Sequence, residues 1–236
     1  MRRLLAFLTL ALSLAFALAP LWSDFAGFEA GQLPYGVENP AVQPAGYAFA
    51  IWGPIYLWLI ASALYGVIHA ETDTTWHAAR FWLALSLAVG VPWLWIASVS
   101  AIWATVTIWA MLVFAILALI RTPPSNRWWL RGPVALYTGW LTAASFVSLA
   151  VTLAGYGVVL DHYGWAFPAI LGALVLSTAV YWHTPAPVYL IAVIWALVGI
   201  CVANWMQMFL VTATALAGIA FLICVMAIRF PEDFRS

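Results

Sequence analysis

Residues 81–120 read FWLALSLAVGVPWLWIASVSAIWATVTIWAMLVFAILALI, forty residues without a charge. A single α-helix of that length would run about 60 Å, twice the roughly 30 Å hydrocarbon core of a bilayer. The segment therefore holds two membrane spans, with the break at Ser98–Val99–Ser100. Charged residues, among them Glu71, Asp73 and Arg80 of the loop before this segment, mark where the chain leaves the hydrocarbon, and the rest of the chain reads the same way. Residues 4–22, 45–69 and 133–154 are single spans, and residues 166–228 hold three. Breaks within that last run fall at His183–Thr184–Pro185–Ala186–Pro187 and Asn204–Trp205–Met206–Gln207. Proline removes an amide donor and restricts the residue before it, which makes the first of these breaks the firmer.

The expectation is an all-α integral membrane protein, an eight-helix transmembrane bundle. Composition agrees: 67% of the 236 residues are apolar, 7% are charged, and mean hydropathy is +1.03. Soluble domains carry roughly 25% charged residues. A soluble globule, a disordered chain and a basic nucleic-acid binder are excluded. The basic residues are all Arg, and their positions set the orientation. Basic residues near span ends stay cytoplasmic. Arg2–Arg3, Arg121 to Arg131, and Arg229 with Arg235 share one side only if even numbers of spans separate them. Eight spans with both the N-terminus and the C-terminus cytoplasmic satisfy that condition. Arg2–Arg3, the apolar run and Ala17–Leu18–Ala19 also match a cleavable secretory signal, the alternative to an uncleaved first span.

The chemistry of catalysis is missing. No acid is expected in the central part of a span, and there is no paired-Asp, His-Glu-x-x-His or phosphate-cradling motif. Without Lys a retinal Schiff base is impossible. The expectation is no enzyme, no catalytic residue, no metal and no cofactor. His69, Glu71, Asp73 and His77 crowd one loop and are read as a solvated helix end, and Asp161–His162 as a loop pair. Cys201 and Cys224 lie near opposite membrane faces and are read as unpaired core residues.

Sixteen Trp remain to be placed. Trp22, Trp76, Trp82, Trp128, Trp129, Trp165, Trp182 and Trp205 fall at span ends, where an interfacial belt explains them. Trp52 lies about 10 Å into the second span, with Tyr56 one turn deeper on the same face. Trp93, Trp95 and Trp103 fall at a similar outer depth. An aromatic layer of this kind packs tightly or lines a pocket for a flat apolar ligand. The long acidic loop above it, with Pro20, Pro34, Pro40 and Pro44 at its edges and within it, is a candidate lid.

The segment Pro44-Ala-Gly-Tyr-Ala-Phe-Ala-Ile-Trp-Gly-Pro-Ile-Tyr56 resembles the signature of the TspO family, the tryptophan-rich sensory or translocator proteins, in the form of its larger bacterial members. Pro133, Tyr137, Trp140, Thr142 and Ala144 resemble the family's fifth helix, and Trp93 and Trp95 stand where its third helix carries a Trp. Ser148 replaces an Asn of the family pattern, and the last three spans have no counterpart in five-helix members. The resemblance covers residues 1–155, a TspO-like five-helix bundle. Residues 156–236 add three transmembrane helices packed in the same domain.

The resemblance implies a receptor-like or transport-like protein of a bacterial inner membrane that binds a tetrapyrrole or sterol-like molecule. Its candidate ligand-binding residues are Trp52, Tyr56, Trp93, Trp95, Tyr137 and Trp140. By residue counting alone, Trp140 lies in the inner half, below Trp52 and Trp95. The expected partners are membrane lipids and the small molecule. The chain is compatible with a monomer or a homo-oligomer, and Gly172 and Gly199 are candidate helix contacts. Gly46-Tyr-Ala-Phe49 and Gly164-Trp-Ala-Phe167 echo each other 118 residues apart. That echo suggests the alternative, a small-solute transporter built of two four-helix repeats.

Overall fold

The computed structural model describes residues 2–23, 28 and 30–233. Asp24, Glu29 and Arg235 lie outside the described residues. The helices are α1 (Arg2–Leu18), α2 (Trp52–His69), α3 (Thr74–Gly90), α4 (Trp93–Val99), α5 (Ala101–Ile120), α6 (Gly132–Gly155), α7 (Ala166–His183), α8 (Pro187–Asn204) and α9 (Phe209–Asp233). Among the described residues, eight helical segments are long and apolar enough to cross a membrane. The third is α3 and α4 together, and the fifth is α6 preceded by a π-helical turn, Arg127–Arg131.

Local sequence signals account for the helix starts. Asp73 caps α3, its carboxylate accepting hydrogen bonds from the amides of Thr75 and Trp76. The Thr75 hydroxyl, 2.7 Å from the same oxygen, holds that carboxyl below the usual carboxylate range. Ser100 caps α5, and Pro187 opens α8, where no amide hydrogen is needed. Pro92 interrupts the third span just after Gly90 and separates α3 from α4.

Five spans form a ring: α1 packs on α2, α2 on α6, α6 on α5, α5 on α3 and α4, and α3 on α1. The other three spans stand on the far side of α6, with α7 and α8 against α6, and α9 against both. The fifth span is thus a hub, and it is the most buried of the eight. Its small and hydroxyl-bearing positions fit this role. Gly139 meets the backbone of Tyr189 on α8, and the Thr142 hydroxyl is 2.9 Å from the Tyr189 hydroxyl. Gly172 makes room for Phe146, and Gly199 for Pro44 and Ala48. Both glycines therefore serve contacts within the chain. The Gly46–Phe49 and Gly164–Phe167 echoes differ in backbone: the first lies in a 3-10 helix, Gly46–Ile51, while the second crosses from a turn into α7.

Several expectations are corrected. Arg80 does not mark a loop. The third span starts at Thr74, and Arg80 lies inside it, 3% exposed. Its guanidinium donates to the carbonyls of Ala70 (2.8 Å) and Gly66 (2.5 Å) at the end of α2, and it lies over Trp76. These acceptors and the helix dipole replace the water a buried charge loses. Trp76, expected in the interfacial belt, is only 2% exposed. The cluster of His69, Glu71, Asp73 and His77 keeps its place at a helix end, with His69 and Asp73 exposed; His69 stacks on Tyr65, and Glu71 pairs with Arg3 at 3.0 Å. Cys201 and Cys224 are both free. Cys224 is exposed on α9 and is not a core residue.

Candidate functional site

The ring of five spans lines a partly open cavity of about 500 Å³. Its aromatic wall is built from neighbouring turns. Trp52 and Tyr56 share one face of α2 and stack at 5.3 Å. Phe16 of α1 meets both edge-on, at 5.7 Å and 5.4 Å. Trp140 of α6 closes the opposite side, 6.2 Å from Trp52 and 5.7 Å from Phe49. Trp93 completes the wall beside the Pro92 break, its indole N–H donating to the Ala104 carbonyl at 2.9 Å. Met111 and Ile108 of α5 fill the space between.

A smaller annex of about 80 Å³ shares Gln43, Phe49, Trp93 and Trp140 with the main cavity and extends to Val151, Ser148 and Ala196. At its wall the Thr105 hydroxyl is 2.7 Å from that of Ser148 and 2.8 Å from that of Thr152. The polar side chains other than indoles that line the two compartments are few: Tyr56, Gln43, Ser23 and Ser148. No charged side chain lines either compartment among the described residues.

Of the six residues singled out from the sequence, Trp52, Tyr56, Trp93 and Trp140 line the cavity. Tyr137 lies directly behind that wall, fully buried and 5.8 Å from Phe16. Its hydroxyl is 2.9 Å from Ser86 Oγ. Ser86 gives its only hydrogen to the Met111 carbonyl, so Tyr137 is the donor in this pair. Tyr137→Phe is expected to lower unfolding stability by about 1 kcal/mol with little change in cavity shape, checked by thermal unfolding in detergent.

Trp95 stands apart. Two residues after Trp93 on a helix it points the other way, and it is 70% exposed. Trp103 likewise faces outward, 63% exposed. Both rings join the belt, in contrast to the inward placement expected for them.

Trp140 is not below Trp52 but beside it, for two reasons. The fifth span begins at Arg127, six residues before Pro133, which raises Trp140 to about 20 Å above that end. The chain leading into α2 is also sunk into the bundle: the Ala45 amide donates to the Gly199 carbonyl at 3.0 Å, more than one turn below the end of α8. The residues not anticipated are Phe16, Gln43, Phe49 and Met111. Phe49 carried a signal, since it lies one turn before Trp52.

A groove of about 770 Å³ between α7 and α9 is lined by Leu171, Val175, Trp182 and Phe221, all exposed side chains on the outer surface of the bundle. It has the character of a lipid-facing furrow. The ring cavity is the candidate site because its aromatic groups converge from α1, α2, α4 and α6.

No curated protein and no solved structure matches the chain. The sequence profile of the TSPO-like protein family matches residues 3–228, which takes in all eight spans. The chain is therefore an integral membrane protein and belongs to the TSPO-like protein family.

Proposed function

We propose that this protein binds an uncharged, flat hydrophobic molecule of tetrapyrrole or sterol type between the spans of the ring, as a membrane receptor or carrier and not as an enzyme. The observation that carries this reading is the aromatic cavity of about 500 Å³, within the size range of small-molecule sites. Trp52 and Trp140 present aromatic surface to a planar ligand, and Gln43 and Tyr56 supply neutral polar groups in the lining. A carboxylate would enter without a cationic partner among the described lining residues, which costs several kcal/mol. In this reading the Arg-rich end faces the cytoplasm of a bacterial inner membrane.

The test is Trp fluorescence quenching of the purified protein by two porphyrins, one with only alkyl side chains and one carrying propionates. The alkyl porphyrin is expected to bind saturably and at least tenfold more tightly. Saturable binding of neither, with no energy transfer from Trp to the fluorescent sterol dehydroergosterol, would overturn the reading.

A further inference from the structure

The segment Pro40–Ile51 forms the roof of the cavity, contributing Gln43, Gly46 and Phe49 to its lining. This roof is held from outside the ring, by α8. The Asn204 amide donates to the Ala41 carbonyl at 2.8 Å and to the Ile200 carbonyl at 2.9 Å, and Asn204 is 3% exposed. The Trp195 indole N–H donates to the Ala48 carbonyl at 2.8 Å, and its ring meets Tyr47 edge-on at 5.6 Å. Between them, Gly199 lets the backbones approach closely enough for its carbonyl to accept from the Ala45 amide. A Cβ at Gly199 would stand 2.8 Å from Pro44 Cβ and 2.9 Å from Ala48 Cβ.

These contacts satisfy the Ala41 carbonyl and the Ala45 amide, which lie outside any helix, and add a donor to the Ala48 carbonyl in the 3-10 turn. A free carbonyl or amide next to hydrocarbon costs several kcal/mol, so the roof is stable in this position only while α8 supplies partners. Trp195 and Gly199 share one face of α8 through the i, i+4 repeat, and Asn204 reaches the roof from the last residue of that helix.

We infer that α8 is a clamp on the cavity roof, with Trp195 and Asn204 as positioning residues that set access to the ligand site. The spans outside the ring thereby act on a site they scarcely line. The clamp itself is independent of the binding reading; its effect on a ligand rests on that reading, and two readouts separate them.

The first readout uses Gln43→Cys in a background of Cys201→Ser and Cys224→Ser, labelled with a maleimide. Trp195→Phe keeps the ring and removes the donor. Asn204→Leu keeps much of the side-chain volume and removes the amide. Each is expected to raise the labelling rate about fivefold, the shift in opening equilibrium given by loss of about 1 kcal/mol. Trp165→Phe removes an equivalent bond, from its indole to the Val158 carbonyl at 2.7 Å in another loop, and is expected to leave the rate unchanged. The second readout is the dissociation rate of dehydroergosterol, expected to rise in the same two variants and not in Trp165→Phe.

Unchanged labelling in both clamp variants, or an equal rise in Trp165→Phe, overturns the clamp. Faster labelling with unchanged dissociation overturns its control of the site. If dehydroergosterol fails to bind the parent chain, the porphyrin titrations decide the binding reading and labelling alone decides the clamp.

Discussion

Gly139→Ala is expected to destabilise the bundle by about 3 kcal/mol, an unusually large effect for one methyl group. A Cβ at Gly139 collides with the backbone carbonyl oxygen of Tyr189 and stands 2.9 Å from the Cβ of Ala192. A flexible side chain can swing away from a new methyl; a helical carbonyl cannot, and α8 must move as a body. The displacement opens the bond between Tyr189 and Thr142 and withdraws α8 from the hub helix on the turn that also carries Trp140. The helix-propensity gain of alanine over glycine, about 1 kcal/mol, offsets only part of this. Thermal unfolding in detergent, with size-exclusion to follow monodispersity, measures the effect. Gly53→Ala is the control: it lies in α2 with nothing within 4 Å of the added methyl and should be neutral or slightly stabilising. Equal melting temperatures for Gly139→Ala and the parent would contradict the close approach of α6 and α8.

Trp140→Ala is expected to weaken binding of the alkyl porphyrin roughly 30-fold, about 2 kcal/mol, in the range found for removing an aromatic stacking partner of a flat base. Trp140 is one of three rings, with Phe49 and Trp93, shared by the main cavity and its annex, and it faces Trp52 and Phe49. Trp52→Ala should fall in the same range. Trp95→Ala should change affinity less than twofold, since that ring lies outside the cavity. The pair matters because Trp93 and Trp95 are indistinguishable as letters in a tryptophan-rich segment. A loss with Trp95→Ala as large as with Trp140→Ala would contradict the assignment of the cavity.

The architecture was legible in the sequence because lipid imposes a simple rule: uncharged length divided by membrane thickness gives the spans. The breaks at Ser100, at Thr184–Ala186 and after Asn204 follow from that rule and from proline. It misled at Arg80, because a charge was equated with water. Here the exposed carbonyls ending α2 take water's place, and only tertiary structure shows that they lie within reach. The site was legible where it depends on one helix, as for Trp52 over Tyr56. It was not legible where it depends on how helices slide past each other. The depth of Trp140 turned on a roof sunk against Gly199 and on six extra residues of helix before Pro133, and neither leaves a mark in hydropathy. Phe16 was hidden for a similar reason: on α1 it is one apolar residue among many, and its importance comes from Gly90 of α3, which leaves its ring room.

The most direct test of the central claim is photo-crosslinking with an uncharged diazirine sterol, followed by mass spectrometric mapping of the labelled residues. The ring cavity predicts saturable labelling within 43–56, 90–94 and 140–148, competed away by the alkyl porphyrin and lost in Trp140→Ala. Labelling confined to the groove between α7 and α9, at 171–183 and around Phe221, and insensitive to competitor, would contradict it.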